Sequence, residues 1–181
     1  MTEPLYTRVS PDFDPTAFHG ILVASPRLED TYGFTELGHD TAEYDTAPTV
    51  LEVTPLVDAF ASVADVEAAA ERAGIVLWMD FDTYMSEWPG ATAEAFEERA
   101  YPAIEDNNAN QLLSRPEVVR ELESAGYKAF RGHITVGNTQ PEVTCFWDPA
   151  SFGTSGPVPL AQTDPDSPYQ VELAPAPAPA P

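Results

Sequence analysis

Few side chains in this chain are of types that do covalent or metal chemistry, and their spacing narrows the choice. The three histidines, His19, His39 and His133, stand far apart in sequence. Each reads as a surface or structural residue, so no metal site is expected. Cys145 is the single cysteine, which rules out an internal disulfide and any zinc site built from several thiolates. Inside "VTCFW" it reads as a buried strand residue rather than a nucleophile. Two acid pairs, Asp80 with Asp82 and Glu97 with Glu98, are accounted for by period-two strand spacing and a solvated helix face. The chain contains no "GxxxxGK[ST]", "GxSxG" or "HExxH" pattern. What remains is Glu142, which follows Pro141 at the mouth of the apolar run "EVTCFW" and lies just ahead of "DPASF". A glutamate at a strand start is ordinarily solvated. Its setting, behind the turn "AGYKAF" and a glycine-containing connection, singles it out.

The elements that must position such a group are legible from periodicity and punctuation. "EPLYTRVS" reads as a short strand ended by Pro11, with Leu5, Thr7 and Val9 on one face and Tyr6 and Arg8 on the other. "ILVAS" is a second apolar strand stopped by Pro26, and "PRLEDTYGF" predicts one or two helical turns before Gly33. "PTVLEVTPL" gives a strand flanked by prolines. From Ser62 the period becomes helical, with Val63, Val66 and Ala70 on one face and Gly74 as the stop. "IVLWMDF" is a short strand or buried extended segment. The next helical stretch is interrupted by Pro102 and predicts two helices or a kinked one, followed by a polar loop "NNANQ" at 107–111. "SRPEVVRELESAG" predicts a helix with a capping box from Ser114 and Glu117, an inner stripe of Val118, Leu122 and Ala125, and a stop at Gly126. Short strands "YKAF", "HITV" and "EVTCFW" follow.

The fold class expected is α+β in a single domain over residues 1–153. Residues 154–181 are proline-rich and lack basic side chains. Such a segment buries too little apolar surface to offset its ordering entropy and predicts a flexible tail.

Composition limits the partners. Thirty acidic residues face eight basic ones, of which only Lys128 is a lysine, for a net charge of -22. Duplex nucleic acid is excluded as a partner, because phosphates are held by Lys and Arg and no basic cluster exists. Three readings of the charge stand side by side: a solvated monomer surface, of the kind a GC-rich genome, a phage or a salty cytoplasm produces; a mimic of DNA; or an acidic face that docks one basic protein partner. The start "MTEPLYTR" has no signal-peptide pattern and no run approaches membrane-spanning length, so a cytoplasmic protein with no membrane contact is expected.

The order of "PLYTRVSPDFD", "ILVASPRLEDTYGF", "ELESAGYKAF" and "PEVTCFWDPASF" resembles the ADP-ribosyltransferase fold, in its divergent phage and mobile-element branch, over roughly residues 5–152. The resemblance implies a split mixed or antiparallel sheet core with flanking helices and NAD+ as the substrate. The nicotinamide glycosidic bond would be cleaved through an oxocarbenium-like state, and ADP-ribose passed to a macromolecule or to water. It further implies that Glu142 is the catalytic carboxylate, that Ser25 and Tyr32 orient the ring, and that the first strand supplies a donor to the substrate. Aligned without a gap, Thr7 takes the place of the family's Arg or His, and Arg8 is displaced by one residue. On a strand that displacement points Arg8 to the opposite face unless a bulge re-aims it. The alternative is a non-catalytic acidic interaction protein, such as a phage-encoded inhibitor.

Overall fold

The computed structural model describes residues 3–9, 13–17, 20–31, 49–75, 77, 82, 85–86, 88–90, 92–94, 109–134, 140–162 and 171–174. Within them lie strands β1 (Leu5–Val9), β2 (Leu22–Ala24), β3 (Thr49–Pro55), β4 (Ala129–His133), β5 (Glu142–Phe146), β6 (Phe152–Pro157), β7 (Leu160–Gln162) and β8 (Val171–Leu173). The helices are α1 (Val63–Arg72), α2 (Ala109–Leu113) and α3 (Pro116–Ser124). The result is a small α+β fold with antiparallel sheets: one of order β1-β3-β6, one of order β2-β5-β4, and the β7-β8 hairpin.

The two three-stranded sheets touch at one corner. Tyr6 N donates to Ser25 O at 2.7 Å and Ser25 N returns a bond to Tyr6 O at 2.9 Å. The strands therefore succeed one another as β6-β3-β1-β2-β5-β4, split between β1 and β2.

Alternation along the strands builds three layers of core. Leu5, Val9, Leu51 and Val53 of the first sheet share a cluster with Leu22, Ala24, Ala129 and Phe146 of the second, closed by Phe152. This is the inter-sheet core, in which the Phe146 and Phe152 rings lie 5.2 Å apart and tilted by 45°. The other face of the second sheet, through Val23, Phe130, Val143 and Cys145, packs against Val66 and Ala69 of α1, Leu112 of α2 and Leu122 of α3. Phe130 and Phe146 are fully buried, each worth about 1.5–3 kcal/mol of transfer free energy. The outer face of the first sheet carries Tyr6 and Val50 under Leu28, with Val158 and Leu160 against them.

Several elements depart from the expectations above. In α1 the apolar face is Val66, Ala69 and Ala70, while Val63 at the first helical position is 40% exposed. The capping box belongs here: Ser62 N and Oγ donate to Asp65 Oδ2 at 2.8 and 2.6 Å, and Asp65 N donates back to Ser62 Oγ at 3.3 Å. The helix then stops at Gly74, whose φ of +79° suits glycine alone.

No box forms at α3. Pro116 takes the first helical position, Arg115 becomes the N-cap without a side-chain bond, and Ser114 Oγ donates instead to Gln111 O at 2.6 Å. Ala125 is exposed as the C-cap, so only Val118 and Leu122 form its buried stripe. The "NNANQ" loop turns helical at Ala109, because Ala109, Leu112 and Leu113 find apolar partners in the helix-side core.

"YKAF" and "HITV" contribute to one strand. β4 pairs without interruption from Ala129 opposite Phe146 to His133 opposite Glu142. Gly132 is what lets it pass, since a Cβ there would lie 2.8 Å from Phe130 Cζ. Past Gly153 the chain continues in β6, paired with β3. The hairpin follows, with Ala174 N donating to Pro159 O at 2.9 Å. Composition assigned these segments to the tail; the β3 edge and the cluster of Tyr6, Leu28 and Val50 on the outer face of the first sheet supply partners that composition does not reveal. The predicted break at Pro102, and His19, His39, Asp80, Glu97 and Glu98, lie outside the described residues. Among the described residues no helix is long and apolar enough to cross a membrane.

Candidate functional site

Glu142 opens β5 and is exposed. Alternation with buried Val143, which faces the helices, turns Glu142 and Thr144 toward the inter-sheet side. Across the strand pair stand His133 opposite Glu142 and Arg131 opposite Thr144. The His133 ring bonds through Nδ1 to Gln140 O at 3.0 Å, which ties the start of β5 to the end of β4.

Because β2 runs antiparallel to β5, with Ala24 opposite Thr144, the end of β2 lies beside the start of β5. The Tyr6–Ser25 bridge brings the start of β1 to the same place. These three strand ends enclose a cleft of about 130 Å³ whose walls include Glu3, Leu5, Pro26, Arg131, Glu142 and Thr144. On the far side of β1 lies a wider groove of about 680 Å³, bordered by Tyr6, Leu28, Glu29 and Glu172. Glu3 and Pro26 line both, so the two spaces meet at the β1–β2 corner.

Thr7, Arg8 and Ser25 have definite positions. Thr7 is 1% exposed and its hydroxyl donates to Val23 O at 2.7 Å, a bond that staples β1 to β2. Arg8 is 3% exposed and points to the outer face with Tyr6, where its Nε donates to Thr31 Oγ1 at 2.9 Å. Pairing between β1 and β3 is regular from Leu5 to Val9, so no bulge re-aims Arg8 toward Glu142. Ser25 is fully buried; its hydroxyl donates to Asp30 Oδ2 at 3.2 Å and accepts from Arg27 N at 3.2 Å. Ser25 and Arg8 thus anchor the turn that runs from Pro26 to Thr31, where Thr31 Oγ1 also donates to Leu28 O at 2.6 Å. Tyr32 lies outside the described residues. Glu142 and Thr7 therefore share the inter-sheet side, while Arg8 and Ser25 face away from it.

The cleft holds a cation that sequence reasoning did not select. The Arg131 guanidinium carbon lies 3.9 Å from the centre of the Phe60 ring, and its Nε donates to Thr144 Oγ1 at 3.4 Å. Among the described residues no carboxylate forms an ion pair with it, whereas Arg27, Arg72 and Lys128 are paired with Glu29, Glu121 and Asp148. Thr144 is signalled by its place two residues after Glu142. Arg131 becomes visible only with the β4–β5 register.

Elsewhere the titrating groups follow their surroundings. Burial pushes the Cys145 thiol far up, so it is neither ionised nor exposed. The Tyr6 phenol is raised by burial and then by Glu52, its neighbour on β3. The Ala150 backbone N–H, followed by Lys128, holds Asp148 below the usual carboxylate range. Among the described residues no group of three His, Cys, Asp or Glu side chains is placed to hold a metal ion. In comparisons with known proteins, no family model, curated protein or solved structure matches this chain at a significant level.

Proposed function

We propose that this protein is ADP-ribosyltransferase-like and binds NAD+ at the β1–β2–β5 corner, with Glu142 the carboxylate on which transfer of ADP-ribose depends. One observation carries the reading: β1 with Thr7 and Arg8, β2 leading into Ser25, and β5 with Glu142 are neighbours across a sheet split between β1 and β2. Glu142 stands solvent-accessible in the cleft where they converge. Such a carboxylate accepts hydrogen bonds from the nicotinamide ribose and favours the positive charge that develops at C1′ as the bond to nicotinamide breaks. The nicotinamide leaves with the electron pair, and an acceptor nucleophile or water closes on C1′.

The test is incubation of wild type and Glu142→Gln with labelled NAD+ and a bacterial lysate. Label on macromolecules, or free nicotinamide, is expected with wild type and should fall by about a hundredfold or more in the variant. Equal turnover by the two proteins would remove Glu142 from the mechanism.

A second reading has its own observation. The Thr7 and Ser25 hydroxyls and the Arg8 Nε are engaged in internal bonds, and the chain carries a net charge of -22. Both features suit a protein that keeps the fold for docking onto a basic partner. That interaction would weaken steeply with salt; partner binding that is indifferent to salt would count against it.

A further inference from the structure

We infer that Arg131 is the anion-binding residue of the Glu142 cleft and takes the pyrophosphate of the ligand, an inference that rests on the NAD+ reading above. The resemblance asks for a cation or donor from β1, and β1 does not send one into this cleft: Thr7 is bonded to Val23 O and Arg8 points to the outer face. β4 supplies one from the opposite wall. Arg131 lies on the same face as Glu142, on the adjacent strand, opposite Thr144 and therefore diagonal to Glu142. Diagonal neighbours in an antiparallel pair are about 7–8 Å apart. The two side chains thus rise from one face of neighbouring strands and line the same cleft, where a ribose could offer its ring hydroxyls to the carboxylate and its 5′ phosphate to the guanidinium.

The side chain is also oriented for the task. Phe60 supports the guanidinium from one face at 3.9 Å, and the Thr144 hydroxyl takes Nε at 3.4 Å. The terminal N–H groups of an arginine held this way form the planar fork that suits phosphate oxygens. In a chain with thirty acidic residues and eight basic ones, a cation that lines a cleft with Glu3 and Glu142 and forms no ion pair with a carboxylate among the described residues is available to an incoming anion.

The experiment measures binding of ADP-ribose, NAD+ and inorganic pyrophosphate by calorimetry to wild type, Arg131→Gln, Arg131→Lys and Arg120→Gln. Arg131 is exposed, so the folded state of its variants is expected to persist and is verified by circular dichroism. Arg120, exposed on α3, serves as the control for the loss of one positive charge. Arg131→Gln is expected to weaken ADP-ribose binding about tenfold or more. Arg131→Lys should restore part of the loss, because it returns the charge without the fork, and Arg120→Gln should bind as wild type does. Equal affinity of wild type and Arg131→Gln for ADP-ribose overturns the role of Arg131 and leaves the NAD+ reading standing. Pyrophosphate binding that depends on Arg131, with no binding of NAD+ or ADP-ribose, supports the anion site and sinks the nucleotide reading. Absence of binding by all three probes overturns both.

Discussion

Thr7 and Arg8 are adjacent in β1 and face opposite ways, and each is used by the fold in a different manner. Thr7 closes the seam between the two sheets through Val23 O, at a place where a valine would fit the volume but leave the carbonyl without this bond. Thr7→Val is therefore expected to lower stability by about 1 kcal/mol, read from the urea midpoint. If the seam bond were immaterial, the midpoint would not move. Alternation in "LYTRV" already separates the two side chains by face. That Arg8 then binds Thr31 is settled by residues 23 positions away, beyond the reach of any local pattern. Glu142 behaves similarly: its place at a strand start is readable from Pro141 and the apolar run after it, whereas its neighbours Arg131 and Pro26 follow from pairings with β4 and β2.

Among the elements, the two helices of similar appearance, α1 and α3, start by different means. Ser62 and Asp65 satisfy each other's backbone groups at the start of α1, so Ser62→Ala is expected to cost about 0.5–2 kcal/mol. Ser114→Ala should cost less, since that hydroxyl only closes the last turn of α2. Denaturant titrations of the two variants decide the matter, and a larger loss for Ser114→Ala would contradict the assigned caps. The Ser62 pair also has a pH signature. Bonds from the Ser62 side chain and backbone, and then from Tyr127, hold Asp65 below the usual carboxylate range. A depressed carboxylate contributes its stability above its unfolded pKa and loses it as pH falls through the lower folded value. The penalty for Ser62→Ala should therefore be full at neutral pH and shrink below about pH 4. A penalty independent of pH would assign the cap to the neutral hydroxyl alone. The turn glycines after both helices, Gly74 and Gly126, hold positive φ and were visible in the sequence as stops, because a helix end is a local event.

At the scale of the whole molecule, a net charge of -22 on 181 residues opposes compaction through self-repulsion. The observed ion pairs Arg27–Glu29, Arg72–Glu121 and Lys128–Asp148 are largely exposed and offset little of it. Raising sodium chloride from about 10 mM to about 0.5 M shortens the screening length from roughly 30 Å to under 8 Å, and the thermal midpoint is expected to rise by several degrees. A midpoint that falls with salt would mean that specific ion pairs, not repulsion, dominate the surface. The same repulsion disfavours anionic ligands at long range, so the proposed anion site depends on the local charge of Arg131.

Legible from the chain are the features that depend on neighbours a few positions away: the helical period after Ser62 and Pro116, the glycine stops, the two faces of β1, and the acid excess with its single lysine. The tertiary structure alone decided what depends on register between distant segments. The pairing of β3 with β6 drew residues beyond Gly153 into a sheet, and the continuous β4–β5 ladder merged two expected strands into one. The same ladder put Arg131 beside Glu142, while the corner at Tyr6 and Ser25 split the sheet and opened the cleft. The reason is physical: periodicity and caps are set by interactions along the chain, whereas strand register is set by which apolar faces can be buried together, a choice only the assembled core can make.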